Sequence, residues 1–243
     1  MIACDCPVCR SGDPRDRRTR SSIYIETPEA AWAIDTGPEF RLQCLREEVC
    51  RMDAVLYTHA HTDHVMGFDD LRRFCPGEKA LPIYAGPETL ADLKRIFFFA
   101  FNGENLFPGY VRPDPREVEP FAPFQIGATT VTPLPMIHGR GETFGYLMER
   151  EGRPLAAYLS DCKEVGAEVI ARVSGVEALV VDALRRRGHP THMNLDEALE
   201  LTRKIAPGAA WFTHLCHELG HAETEAGLPP GVRVAYDGLR LEL

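Results

Sequence analysis

The chain has 243 residues, of which 44% are hydrophobic and 26% charged. These proportions fit a globular fold and exclude disorder, collagen and coiled coil. Lys and Arg number 27 against 36 Asp and Glu, a net charge of −9, the wrong balance for a protein that grips long nucleic acid through many phosphates. A small phosphorylated ligand in a local positive pocket stays compatible with it.

In chain order, short apolar strands alternate with amphipathic helices. Residues 22–26 and 30–35 read as a hairpin across Thr27-Pro28-Glu29, followed by a helix over 39–48. The run 53–58 (Asp-Ala-Val-Leu-Tyr-Thr) reads as a buried strand, 68–74 as a helix, 81–85 as a strand and 88–98 as a helix. Residues 102–123 are rich in Gly and Pro without periodicity, which fits a linker or a loop over a pocket. A strand over 131–137 precedes a second hairpin, 143–149 with 155–160. A helix over 165–173 follows, and 177–182 and 209–213 are continuous apolar runs, as in strands covered on both faces. Between them a helix over 195–205 opens on Asn194 with Glu197 three positions on, close to a capping box. The alternation predicts one α/β layered domain over 1–243.

The longest apolar stretch, Ile96 to Phe101, is far shorter than a membrane span, and it reads as a buried helix face or an interaction patch. The N-terminus lacks a basic region ahead of an apolar core, so no secretory signal is expected and the protein is read as cytoplasmic. Eight cysteines in a reducing compartment suit thiols or metal ligands better than a disulfide framework.

The strongest motif is Thr58-His59-Ala60-His61-Thr62-Asp63-His64, directly after the 53–58 strand. His59 and His61, two apart in extended chain, leave the backbone on the same side. Asp63 and His64 follow at the turn into the next helix. That helix is expected to begin near His64 and aim its N-terminus at an anion. Imidazoles with a carboxylate suit zinc, manganese or iron. Further candidates sit where apolar strands end: His138, Asp161 and His214, the way an α/β scaffold builds a site.

The motif H-x-H-x-D-H and these strand-end residues resemble the metallo-β-lactamase superfamily over nearly the whole chain. The resemblance implies a four-layer αββα sandwich and two catalytic divalent metals, zinc or manganese. It implies His59, His61 and His138 on one metal, Asp63, His64 and His214 on the second, and Asp161 bridging both. Asp35, in Ile34-Asp35-Thr36-Gly37, matches a buried aspartate of the family that supports the ligands.

A second cluster, Cys4-Asp5-Cys6-Pro7-Val8-Cys9, offers three thiols, one short of a closed zinc site. With His217 in Thr213-His214-Leu215-Cys216-His217, it resembles the phosphodiesterases of the carbon–phosphorus lyase pathway, which act on phosphoribosyl 1,2-cyclic phosphate. That resemblance implies a structural zinc on Cys4, Cys6, Cys9 and His217, with Cys216 as a rival fourth ligand. His189 and His192 lie just before the 195–205 helix, where the family often places a catalytic histidine. His192 is the better positional match, and His189 remains an alternative. His221 is assigned to the surface or a supporting position, and Cys44, Cys50, Cys75 and Cys162 to the core as small hydrophobes.

Two metals about 3.5–4 Å apart lower the pKa of bound water towards about 7 and clamp a phosphoryl oxygen. His192 as imidazolium could then protonate the leaving alkoxide. The resulting expectation is a hydrolase acting on small or cyclic phosphodiesters, with a small phosphorylated substrate as partner, no membrane, and a homodimer compatible with the sequence. The alternatives are a thioester or lactone acyl hydrolase on the same ligand set, and a cofactor-biosynthesis member of the superfamily. A tRNA-processing nuclease lacks the basic arm, and a true β-lactamase is disfavoured by Asp63 together with the cysteine trio.

Overall fold

The computed structural model describes residues 1–77, 79–103 and 109–243. They gather into two compact units, residues 20–133 with 141–144, and residues 1–19 with 134–140 and 145–243.

In the first unit, strands β1 (Ile23–Glu26) and β2 (Ala31–Ile34) form the expected antiparallel hairpin, with Ile23 opposite Ile34. Helix α1 (Phe40–Arg46) leads to β3 (Ala54–Leu56), a short turn of helix α2 (Thr62–Val65) and a 3₁₀ segment, Phe68–Phe74. Then come β4 (Leu81–Ala85), α3 (Pro87–Ile96), α4 (Phe98–Phe101), β5 (Pro113–Glu117) and β6 (Phe124–Ile126). Strands β2 to β5 run parallel in the order β1-β2-β3-β4-β5. All four residues of β2 are buried, which is why its sequence, Ala-Trp-Ala-Ile, shows no polar alternation.

Phe68 is fully buried and stacks on Phe97 at 4.5 Å between ring centroids, a contact that burial alone stabilises by about 1.5–3 kcal/mol. The helix expected over 88–98 breaks at Phe97, whose backbone (φ −109°, ψ 41°) leaves the helical region so that its ring can turn inward. Phe98 is 65% exposed, so the apolar run 96–101 is not a uniformly buried face. The stretch expected to be loop, 102–123, contains β5. Its Pro-Asp-Pro-Arg-Glu sequence lacks alternation because it is the last strand of the sheet, where proline costs no interior ladder bond. Residues 104–108 of that stretch lie outside the described residues.

The second sheet uses β7 (Thr129–His138), β8 (Gly141–Arg150), β9 (Arg153–Leu159) and β10 (Glu164–Val165). After α5 (Ala167–Val173) come β11 (Ala178–Asp182), α6 (Leu195–Ile205), β12 (Ala209–Thr213), α7 (His221–Ala226) and β13 (Val232–Val234). The order is β10-β7-β8-β9-β11-β12-β13, with β6 paired to β7. Strands β9, β11, β12 and β13 are parallel, Val180 lying between Tyr158 and Trp211. Their C-terminal ends therefore open on one edge.

Helix α6 starts at the full capping box, Asn194 accepting from the Glu197 N–H while Glu197 accepts from the Asn194 N–H. Its buried residues, Leu195, Ala198, Leu201, Thr202 and Ile205, repeat at three and four, one face of a helix. Among the described residues no helix is long and apolar enough to cross a membrane.

Candidate metal centre

In the first unit the parallel pairing of β2 and β3 brings their C-terminal ends together. Asp35 follows β2 in the left-handed region (φ 65°), a conformation Asp tolerates better than most residues, and it is fully buried. Its carboxylate accepts from the Thr58 N–H (2.8 Å), from Thr58 Oγ1 (2.8 Å) and from His64 Nδ1 (2.7 Å). Because the Thr58 hydroxyl donates to Asp35, it must accept from His59 Nδ1, 2.9 Å away. Asp35 thus sets both tautomers, leaving the Nε2 lone pairs of His59 and His64 as the available donors to a metal. Burial pushes the Asp35 carboxyl up, and the His64 ring and Thr58 pull it back.

His59 Nε2 lies 2.8 Å from His61 Nδ1, and the His59 ring is 4.4 Å from those of both His61 and His64. Asp63 Oδ2 stands 3.7 Å from His64 Nε2. The backbone holds this loop tightly. Thr36 N–H donates to His64 O (2.7 Å), and Gly67 N–H donates to Thr36 O (2.8 Å). A Cβ at Gly37 would meet Asp63 O at 2.5 Å, so only glycine allows that approach. The helix expected to begin near His64 is instead the four-residue α2, which contains His64 within it; so short a helix offers no dipole to an anion.

In the second unit the ligand types again emerge at strand ends. His138 closes β7, Asp161 follows β9 and His214 follows β12, the last two both left-handed (φ 57°). Asp161 Oδ1 lies 3.3 Å from His214 Nε2, and Oδ2 lies 3.9 Å from His138 Nε2. His138 Nδ1 donates to Thr191 O at 2.8 Å, which again turns Nε2 to the donor role. His192 Nδ1 donates to Asp182 Oδ2 at 2.7 Å, and its ring stacks on His214 at 4.9 Å. The donor atoms of Asp161, His192 and His214 fall within 4.8 Å of one another.

Asp182 is a residue the sequence reading missed. It ends β11, is fully buried, and also accepts from the Cys162 N–H (3.1 Å). Burial pushes its carboxyl up, against the His192 ring. The available signal was an aspartate at the end of an apolar strand, the same signal that marks Asp161. His189 is less enclosed: Thr191 N–H donates to its Nδ1 at 3.3 Å, and burial, with His192 nearby, pushes its pKa down.

The cysteine trio meets His217 within the second unit, their four donor atoms lying within 4.8 Å of one another. Cys4 Sγ and Cys6 Sγ are each 3.4 Å from His217 Nδ1. Zinc with bonds of about 2.3 Å to sulfur and about 2.0 Å to nitrogen would set tetrahedral neighbours roughly 3.5 Å apart, so the spacing fits that ion. The Cys9 N–H and the His217 ring pull the Cys6 thiol down to about 6, towards the thiolate a metal needs. Cys216 stands aside, its sulfur accepting from the Glu218 N–H at 3.4 Å. Of the cysteines expected in the core, Cys75 and Cys162 are buried and Cys44 is half-buried, but Cys50 is exposed. His221 is buried, at 2% exposure, which removes the surface half of that expectation.

Replacing Asp35 tests how the ligand loop is held. Asp35→Ala strands three buried donors, and a stability loss of about 3–5 kcal/mol is expected in urea unfolding. Catalytic metal affinity should fall about 10–100-fold in the same variant. Unchanged metal titrations would mean that Asp35 serves the fold alone.

A family model for the beta-lactamase superfamily domain matches residues 33–215. A Porphyromonas gingivalis protein named octanoyltransferase is 36% identical over 98% of this chain, which spans only 48% of that relative's length. Among solved structures, a diphosphatase of the PhnP family is 36% identical with a TM-score of 0.90, covering 99% of this chain and 90% of its own. The zinc-bound PqqB of Methylobacterium extorquens is 24% identical with a TM-score of 0.79, over 100% of this chain and 95% of its own, and so speaks to the fold. The αββα class implied by the resemblance therefore stands, and the chain belongs to the β-lactamase superfamily, with the metallo-β-lactamase fold.

Proposed function

We propose that this protein is a hydrolase, a dinuclear phosphodiesterase acting on small anionic phosphodiesters, a ribose cyclic phosphate among them. His59, His61 and His138 would hold one divalent metal, zinc or manganese, and Asp63, His64 and His214 the other, with Asp161 shared. The donor chemistry fits, since three of the imidazoles are anchored at Nδ1 and offer Nε2. When bound, the metals supply Lewis acidity towards a phosphoryl oxygen and a lowered pKa for water. A structural zinc would sit on Cys4, Cys6, Cys9 and His217. The reading places the enzyme in the reducing cytosol, where thiols stay available.

The single observation that carries the reading is the His192–Asp182 pair beside Asp161 and His214. A buried carboxylate that fixes Nδ1–H and steadies an imidazolium leaves Nε2 to hand a proton to a departing alkoxide. An alkoxide is the poor leaving group of an unactivated phosphodiester. The likeness to a PhnP-family diphosphatase supports phosphoryl substrates, and the net charge of −9 supports a small one over long nucleic acid.

An acyl hydrolase is the second reading, favoured by the relative named octanoyltransferase. The test is turnover of zinc- or manganese-loaded protein on a ribose 1,2-cyclic phosphate, a diphosphate diester, a thioester and a lactone. Phosphodiester hydrolysis that a chelator abolishes is expected. Thioester turnover with no phosphoester turnover, at full metal content, overturns the leading reading in favour of the second.

A further inference from the structure

The loop between β12 and α7 begins at His214 in a left-handed conformation and runs to Gly220 without regular structure. Within it the Leu219 N–H donates to Cys216 O at 3.3 Å and the Glu218 N–H to Cys216 Sγ at 3.4 Å. What crosses it is the N-terminal segment of the same unit. Arg18 Nη1 donates to Cys216 O at 3.2 Å, and Nη2 donates to Leu219 O at 2.7 Å and to Asp16 Oδ1 at 3.1 Å. Asp16 Oδ1 also accepts from the His221 N–H at 2.8 Å. Both side chains are largely withdrawn from water, Arg18 at 13% and Asp16 at 8% exposure. On the other side of Cys216, its N–H donates to Leu184 O at 2.8 Å, and the cysteine trio takes hold of His217.

We propose that Arg18, braced by Asp16, is a positioning residue: it clamps the carbonyls of Cys216 and Leu219 so that His214 meets a catalytic metal. The guanidinium suits the task, since its planar fork spans two carbonyls and a carboxylate at once. A lysine in its place supplies the charge but not the fork. The clamp and the cysteine cluster grip the same seven residues, so the structural metal and the ligand His214 belong to one mechanical unit. The proposal rests on His214 being a metal ligand, as in the reading above.

The test is Arg18→Met beside Arg18→Lys and Asp16→Asn, each titrated with cobalt(II) while absorption of the catalytic site is followed. Thiol-bound zinc is counted separately by its release with a mercurial. In Arg18→Met the affinity of one catalytic metal is expected to fall about tenfold or more, with one thiol-bound zinc retained. Asp16→Asn should show a smaller loss, and Arg18→Lys a partial rescue. A variant that melts earlier but binds cobalt with wild-type affinity and spectrum overturns the proposal and makes Arg18 a stabilising residue. If the unaltered protein binds no metal through His214, which His214→Ala reports directly, the metal reading itself fails.

Discussion

Asp161→Ala is expected to hydrolyse phosphodiesters at least about 10³-fold more slowly and to bind fewer than two catalytic metals. The magnitude follows from a metal centre supplying several kcal/mol of charge stabilisation, at 1.36 kcal/mol per tenfold in rate. The carboxylate is 2% exposed, and its two oxygens face different imidazoles, His214 at 3.3 Å and His138 at 3.9 Å. A negative charge so placed draws cations, and nothing in the neutral methyl of alanine replaces it. Asp161→Asn is the companion variant, because its backbone is left-handed (φ 57°) and asparagine tolerates that region better than alanine. Metal content by mass spectrometry, steady-state rates and circular dichroism together separate lost chemistry from lost fold. Two metals and near-native turnover in either variant would remove Asp161 from the centre.

His192→Ala is expected to keep its metals and lose rate selectively. For a substrate with an alkoxide leaving group the loss should reach about 10²–10⁴-fold, the usual range for general acid catalysis. For a nitrophenyl ester the loss should be small, since nitrophenolate departs without a proton. Asp182→Asn should show the same selectivity more weakly, because it disturbs the Nδ1–H···O contact of 2.7 Å while leaving the ring in place. Equal losses on both substrates would make His192 a substrate-positioning group. A missing metal would make it a ligand, for which its place with Asp161 and His214 is close enough.

The motif His59 to His64 was legible because four metal-binding side chains follow one apolar strand within six positions, a local pattern that needs no knowledge of the fold. Asp161 and His214 were legible for a related reason: each is a metal-binding side chain placed where an apolar strand ends, the 155–160 strand of the expected hairpin for Asp161 and the continuous apolar run 209–213 for His214. Asn194 and Glu197 announced α6 because a capping box is contained in four residues. By contrast, β5 escaped notice, since an edge strand with no fully buried residue needs no apolar alternation.

The residues that needed the tertiary structure share one property: each meets its partner across a stretch of chain, from 10 residues to 198, that no local sequence pattern spans. Asp35 controls His59 and His64 only because β2 pairs with β3 in parallel register. Asp182 reaches His192 only because β11 ends beside the turn into α6. Arg18 meets Cys216 across 198 residues. The sequence by itself determined which side chains can bind metal, and which strands carry them. Tautomer, bracing and the strained backbone at Asp35, Asp161 and His214 were decided by strand register and burial, which arise from the packing of the whole unit and leave no periodic trace in any local window.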